Sequence, residues 1–290
     1  MSPRAIGRPA GGRQAAGGQP GGRPAGGQPP ASPPAAPRDG RPRHQAKDEE
    51  TYHGLRACRE IFARRQGDVV RVYVAEGRRR ECAAILAACA AARLGYRIVP
   101  EENLARISGS THHEGIAILA RGHRRWTEAD LLAAAPRIAG PLVYLDGVGN
   151  PHNFGAILRT CAHFGVAAVL GQRGELPPLS PAAVRVAEGG AEHVVACDLD
   201  DPVAAFGRLR RQGFAVVTTS SREGEPLSSR GVAGRVVIVL GSEAEGVSRQ
   251  IAAAADRRVR IAGSGLVESL NVAVAFGILL AAARQTAPPG

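Results

Sequence analysis

From Pro141 onward the chain alternates short apolar runs with segments of helical spacing. Runs at 142–146, 166–170, 193–196, 214–219, 235–240 and 258–261 read as strands, and 153–164, 181–188, 202–211, 248–255 and 270–284 read as helices. Strands alternating with helices predict an α/β domain built on a mainly parallel sheet. Ligands of such sheets bind beyond the carboxyl ends of strands. Three loops in those places stand out: DGVGNPHNFG (146–155), GSEAEG (241–246) and IAGSGLVESLN (261–271).

The last helix has no polar side chain from Val272 to Ala283. It is too short to cross a bilayer, so no membrane association is expected. A helix apolar on all sides must be covered all round. A partner copy would supply that cover, with Gly277 allowing close approach. Glu268, Ser269 and Asn271 stand at the start of this helix, although polar groups are costly to bury without partners. Ser269 reads as its cap, with Glu268 near the positive end.

A smaller α/β module precedes this domain. YHGLRACREIFARR reads as a helix from Tyr52, VVRVYVA (69–75) as a strand, and ECAAILAACAAARLG as a helix stopped by Gly95. YRIVP is a strand, ENLARIS a helix and GIAILA (115–120) a strand. The expected organisation is a disordered tail at 1–49, the module at 50–126, a linker or peripheral helix at 127–138, and the larger domain at 139–288. The tail consists of near-repeats of Gly, Pro, Ala, Gln and Arg, which cannot bury enough surface to offset ordering entropy.

The net charge of +11 is unevenly distributed. Residues 1–50 carry +4, 51–126 carry +7, and 127–290 are neutral. A basic module ahead of a neutral one suggests that the module docks a polyanion. Of the 37 basic residues, Lys47 alone is not Arg. The five cysteines are odd in number and form no C-x-x-C pair, which argues against disulfides or a zinc cluster. They read as core residues of a cytoplasmic protein. No apolar segment follows the N-terminal arginines, so no signal peptide is expected. His112, His113 and Glu114 lack further ligands at metal spacing, and no metal is expected.

The loops exclude some chemistries. There is no G-K-[ST] phosphate loop, and DGVGNPHNFG does not match the G-x-G-x-x-G dinucleotide fingerprint. Asn153 can cap the helix that follows the first loop. Arg159, on the second turn of that helix, reads either as a structural ion-pair partner or as an anchor for a substrate phosphate.

Taken in order, NPHNFGAILRTCAHFG, IVLGSEAEGVS and VRIAGSGLVESLNVAVAFGILL resemble the three motifs of the SPOUT class of RNA methyltransferases, in the TrmH (SpoU) family. The front module, through YHGLRACRE and HHEGIAILA, resembles the substrate-binding domain of ribosomal RNA 2'-O-methyltransferases of that family. The resemblance implies a deep trefoil knot, a homodimer, and S-adenosylmethionine as cofactor. It implies methyl transfer to a ribose 2'-oxygen of ribosomal or transfer RNA. It places Asn153, Arg159, Glu243, Ser269 and Asn271 in the catalytic site, and Leu240, Gly241, Ile261, Gly265 and Leu270 against the cofactor. Arg56, His113, Arg124 and Arg125 are the candidate RNA contacts of the module. Ala262, Gly263 and Ala244 depart from the family pattern. The family assigns the matching Arg as general base, but a guanidinium holds its proton. Phosphate binding suits Arg159 better, with a phosphate oxygen, Glu243 or solvent accepting the proton. The competing reading is a catalytically inactive RNA-binding or ribosome-assembly protein of the same fold.

Overall fold

A computed structural model of the protein describes residues 48–227, 232 and 234–284. The expected tail lies outside these residues except for its end, where Glu49 already opens the first strand.

The front module is a four-stranded sheet in the order β1-β4-β2-β3. Its elements are β1 (Glu49–His53), α1 (Leu55–Arg64), β2 (Val69–Ala75), α2 (Ala83–Ala91), β3 (Gly95–Val99), α3 (Glu101–Ser108) and β4 (Ile116–Arg121). The helix expected from Tyr52 starts later, at Leu55. Tyr52 and His53 instead pair with β4, and Gly54 turns the chain at φ 97°. Glu114 accepts the exposed Leu55 N–H at 2.8 Å. The helix expected to run to Gly95 ends at Ala91. Arg93 adopts φ 53° and Leu94 donates back to the Cys89 carbonyl at 2.9 Å, so an arginine makes the left-handed turn and Gly95 is released to start β3.

The chain then enters an eight-stranded sheet through β5 (Trp126–Thr127), whose Trp126 pairs with Cys197. Residues 127–138 are therefore not a free linker. Thr127 and Asp130 form a reciprocal capping box at the start of α4 (Glu128–Ala134). The rest of the domain is β6 (Leu142–Asp146), α5 (Pro151–Phe164), β7 (Ala168–Gln172), α6 (Pro181–Val186), β8 (Val195–Leu199), α7 (Pro202–Arg211), β9 (Ala215–Ser220), β10 (Glu225–Pro226), β11 (Val236–Gly241), α8 (Arg249–Ala253), β12 (Arg257–Arg260) and α9 (Val272–Arg284).

The strand order is β10-β12-β9-β11-β6-β7-β8-β5, with every pairing parallel. The chain lays down β6, β7 and β8 outward, crosses through α7 to β9 on the other side, and fills the gap between β9 and β6 with β11. That reversal is the switch point at which parallel sheets bind ligands. One buried cluster, including Leu142, Tyr144, Phe206 and Val239, lies on one face of the sheet. The cluster on the other face, including Leu145, Ile157, Phe276 and Leu280, continues without a break into Tyr52, Cys58 and Ile61 of the module. All five cysteines are free and buried. Burial pushes the Cys58 and Cys197 thiols up, Cys197 to about 12, which removes them from thiolate chemistry.

A buried ionic knot reinforces the contact between module and domain. Glu192, 4% exposed at its side chain, accepts from Arg65 Nε at 2.9 Å and lies 2.7 Å from His123 Nε2. The Arg65 guanidinium also sits 5.2 Å from the centre of the Tyr52 ring. Burial would raise the Glu192 carboxyl, but His123 and Arg65 together outweigh it and hold it below the usual carboxylate range. A carboxylate depressed in the folded state contributes stability that is whole above its unfolded pKa and is lost as pH falls through the folded one. Glu192→Gln should lower the unfolding free energy by about 3 kcal/mol at neutral pH, since it removes the buried charge that Arg65 and His123 share and leaves Arg65 the Arg121 carbonyl and a longer contact to Asp68. The gap to wild type should close as pH drops below the carboxylate range. Denaturant titrations at several pH values check both.

Candidate active site

The sequence positions the site by ending three strands in turns. After β6, Asp146 Oδ2 accepts the Ser248 N–H at 2.6 Å, tying the first loop to the chain beyond the second. Gly147 takes φ 71°, a conformation open to glycine, where a Cβ would meet the Ser242 side chain at 3.5 Å. The cap of α5 is Asn150, not Asn153: Asn150 Oδ1 accepts from His152 N at 2.8 Å and Pro151 fills the first helical position. Asn153 is thereby freed to point out of the first turn.

At the end of β11, Ser242 and Gly246 exchange backbone hydrogen bonds of 3.2 and 2.9 Å and close a tight turn. A Cβ at Gly241 would lie 2.0 Å from the Gly246 carbonyl carbon. The turn exists because Gly241 has no side chain, and it presents Glu243 at its tip.

The third loop ends at Asn271, which caps α9 in place of Ser269. Its Oδ1 accepts from Ala273 N at 2.9 Å and Val274 N at 3.3 Å. Its Nδ2 donates to Asn153 Oδ1 at 2.9 Å and to Glu243 Oε1 at 2.8 Å. Asn153 Nδ2 also donates to Glu243 Oε1, at 3.1 Å. Residues 90 and 118 positions apart thus form one triangle. One carboxylate oxygen of Glu243 is occupied by two amides, and Oε2 has no hydrogen-bond partner among the described residues. Glu243 and Asn271 are exposed to solvent and Asn153 is half-buried. Glu268 pairs with Arg222. Ser269 is exposed beside the triangle.

The residues expected against a cofactor lie on β11 and on the chain leading to Asn271. Leu240 is buried in β11 and Ile261 packs against the core. Gly265 adopts φ 83° in an open stretch of backbone. Leu266, Val267 and Leu270 are exposed, Leu266 by 90%. Arg159 lies elsewhere. Six residues after Asn153 on α5, it is rotated by about 120° and advanced by about 9 Å. Its backbone packs on Gly190, and it lines a cavity of about 180 Å³ together with Glu60, Glu188 and His193. It has no hydrogen bond or ion pair with the triangle.

Two of the candidate RNA contacts are engaged within the chain. His113 is 3% exposed; its Nδ1 accepts from Gly115 N at 3.1 Å and its carbonyl accepts from Gly54 and Ile116. Arg125 pairs with Asp198 at 2.7 Å and donates to the Leu176 and Pro177 carbonyls. His113 is held largely by its own turn, whereas Arg125 is half-buried and engaged by residues 51 to 73 positions away. Arg56 reaches Glu188 at 3.6 Å and stays mostly exposed, as does Arg124. The Arg65–Glu192–His123 cluster escaped the sequence reading, because no spacing links positions 127 residues apart.

The fold and site define a two-module α/β protein whose polar triangle sits at the switch point of an all-parallel sheet. Residues 140–281 match the SpoU rRNA methylase family and residues 53–126 match the RNA 2'-O ribose methyltransferase substrate-binding family. The tRNA/rRNA methyltransferase YfiF of Escherichia coli O157:H7, itself described as uncharacterized, is 37% identical over 238 residues, covering 82% of this chain and 68% of that protein. A Haemophilus influenzae relative is 35% identical and covered to 66% of its length, so the chain spans about two thirds of these relatives. The 23S rRNA (guanosine-2'-O-)-methyltransferase RlmB of Yersinia pestis is 31% identical over 80% of this chain and 95% of that protein. A solved structure described as a putative RNA methyltransferase of the TrmH family from Porphyromonas gingivalis superposes with a TM-score of 0.63 at 26% identity, covering 83% of this chain and 91% of that one. The chain belongs to the SpoU rRNA methylase family.

Proposed function

We propose that this chain transfers a methyl group from S-adenosylmethionine to a ribose 2'-oxygen of structured RNA, with ribosomal RNA as the substrate in the cytoplasm. The Asn153–Glu243–Asn271 triangle carries the reading, because it draws all three motif loops to one point at the carboxyl ends of the strands. The residues present fit the cofactor. Gly263 and Gly265 leave open, side-chain-free backbone, and Leu266, Val267 and Leu270 offer apolar surface to an adenosine. The bound sulfonium supplies an electrophilic methyl group, so the protein must orient the nucleophile and remove its proton.

Glu243 suits that task. Two amides fix Oε1, which aims the free Oε2 at incoming ribose, where it accepts the 2'-hydroxyl proton. Asn153 and Asn271 hold the carboxylate in place, and Asn271 is itself locked by capping α9. Arg159 binds the phosphate beside the target ribose.

Since Arg159 lines a separate cavity and has no hydrogen bond or ion pair with the triangle of its own protomer, it serves the site of a second copy. A homodimer also accounts for α9. Leu270, Val274 and Ile278 repeat every four residues and form an exposed apolar stripe, 42%, 53% and 38% exposed. Nothing lies within 4 Å of the position a Cβ would take at Gly277. A two-fold contact on this stripe would bring the partner to the edge of Asn271. The knot belongs to this proposal: β11 enters between strands laid down before it, and the 261–271 loop closes beside it. Mapping 2'-O-methyl sites in total RNA of a deletion strain tests the function. One ribosomal site should disappear; an unchanged map contradicts it.

A further inference from the structure

The strand β3 is the edge of the module's sheet, and its side chains alternate between two faces. The pairings Tyr73↔Arg97 and Ala75↔Val99 put Arg97 and Val99 on the face that carries Tyr73. Helix α3 packs on that face through Leu104, which joins Tyr73, Ala75, Ala117 and Leu119 in one buried cluster. With only eight residues it does not cover the edge. A cavity of about 280 Å³ remains between helix and strand, lined by Tyr73, Arg97, Val99, Asn103, Arg106 and Ile107.

The charges over this cavity differ from those on the docking side of the module. There Arg56, Arg64 and Arg65 are each matched by a carboxylate, from Glu188, Glu60 and Glu192. Arg97 and Arg106 are exposed and form no ion pair or hydrogen bond among the described residues. Two unmatched guanidiniums therefore flank an apolar cleft whose floor is Tyr73, Val99 and Ile107. A group that is anionic at one end and flat and apolar at the other complements such a cleft, and an unstacked nucleotide has that form.

We propose that this cleft is a nucleotide subsite for the substrate RNA. A phosphodiester lies between Arg97 and Arg106, the base or ribose rests on the apolar floor, and the Asn103 amide meets a base edge. The proposal rests on the reading of RNA as substrate and adds where the module grips it. The cleft lies across the sheet from α1, the helix that meets the catalytic domain at the 190–192 turn. RNA held there extends beyond the target nucleotide, so the substrate is a large structured RNA rather than a short stem.

The test measures binding of total ribosomal RNA to the full chain across a salt series. The variant Arg97→Glu/Arg106→Glu is compared with Arg79→Glu/Arg80→Glu, an equal charge change in the exposed turn between β2 and α2. The cleft variant should bind at least ~10-fold more weakly, with a salt slope shallower by about one unit per guanidinium. The turn variant should lose far less, and thermal unfolding and S-adenosylmethionine binding should match wild type in both. Equal losses in the two variants, no loss in the cleft variant, or no RNA binding by wild type would overturn the subsite. Methyl transfer is assayed alongside. If wild type binds RNA through the cleft yet transfers no methyl group, the subsite stands and the enzymatic reading fails. If the cleft variant binds and methylates as wild type does, the reverse holds.

Discussion

Gly241→Ala should reduce S-adenosylmethionine affinity by two orders of magnitude or more, measured by calorimetry. The added Cβ would stand 2.0 Å from the Gly246 carbonyl carbon and 2.3 Å from Val247 N, both backbone atoms that cannot swing aside. The turn after β11 must open, and the paired Ser242 and Gly246 hydrogen bonds go with it. Glu243 rides on that turn, so the triangle with Asn153 and Asn271 comes apart as well. Overpacking of this kind costs about 1–3 kcal/mol, visible as a lower melting temperature. Gly77→Ala, in the front module and away from the site, is the matched comparison. Gly77 has no positive φ and, among the described residues, nothing within 4 Å of the Cβ position, so this variant should melt and bind cofactor like wild type. Equal effects of the two substitutions would show that the Gly241 turn does not shape the pocket.

Arg159→Lys should keep most RNA affinity and lose about two orders of magnitude in single-turnover methyl transfer. A lysine retains the charge but not the planar fork that holds a phosphate in one orientation. Transfer near the wild-type rate would remove Arg159 from the site. The position of Arg159 adds a sharper version. Arg159→Ala and Asn271→Ala proteins, each inactive alone, should recover activity when co-refolded. If the site is shared across a two-fold axis, random pairing restores about a quarter of the sites. If each protomer works alone, the mixture stays inactive.

The sequence showed the sheet better than its order. VVRVYVA marked β2 at its true limits because β-branched and aromatic residues fill almost the whole run, although its burial does not alternate and the ladder shifts register between Val69 and Arg71. α7 was legible over Pro202–Arg211 because Pro202 starts it, just after its Asp201 cap, and its apolar face is regular. Nothing in periodicity places β11 between β9 and β6, since a buried strand reads the same in any slot. At the site, Glu243 and Asn271 were visible through motif resemblance, whereas the two helix caps were assigned to the wrong residues. Asn153 looked like a cap because it is an Asn before an apolar run, whereas Asn150 followed by Pro151 is the stronger signal. Ser269 lost the α9 cap to Asn271, whose amide satisfies two backbone donors and two side chains at once. α9 is not covered all round within the chain; its uncovered stripe is the surface assigned to a second copy. The partners of Arg125, Asp198 and the Leu176 and Pro177 carbonyls, leave no trace in the local sequence.

The most direct test is methyl transfer itself. Purified protein, S-adenosylmethionine carrying a labelled methyl group, and ribosomal RNA from a deletion strain would be combined, and the RNA digested to nucleosides. Label should appear in a single 2'-O-methylated nucleoside with wild type and fall at least a hundredfold with Glu243→Ala, while cofactor binding persists. Label on a base, or cofactor binding by wild type without any transfer to RNA, would contradict the assignment of a carboxylate poised at a ribose hydroxyl.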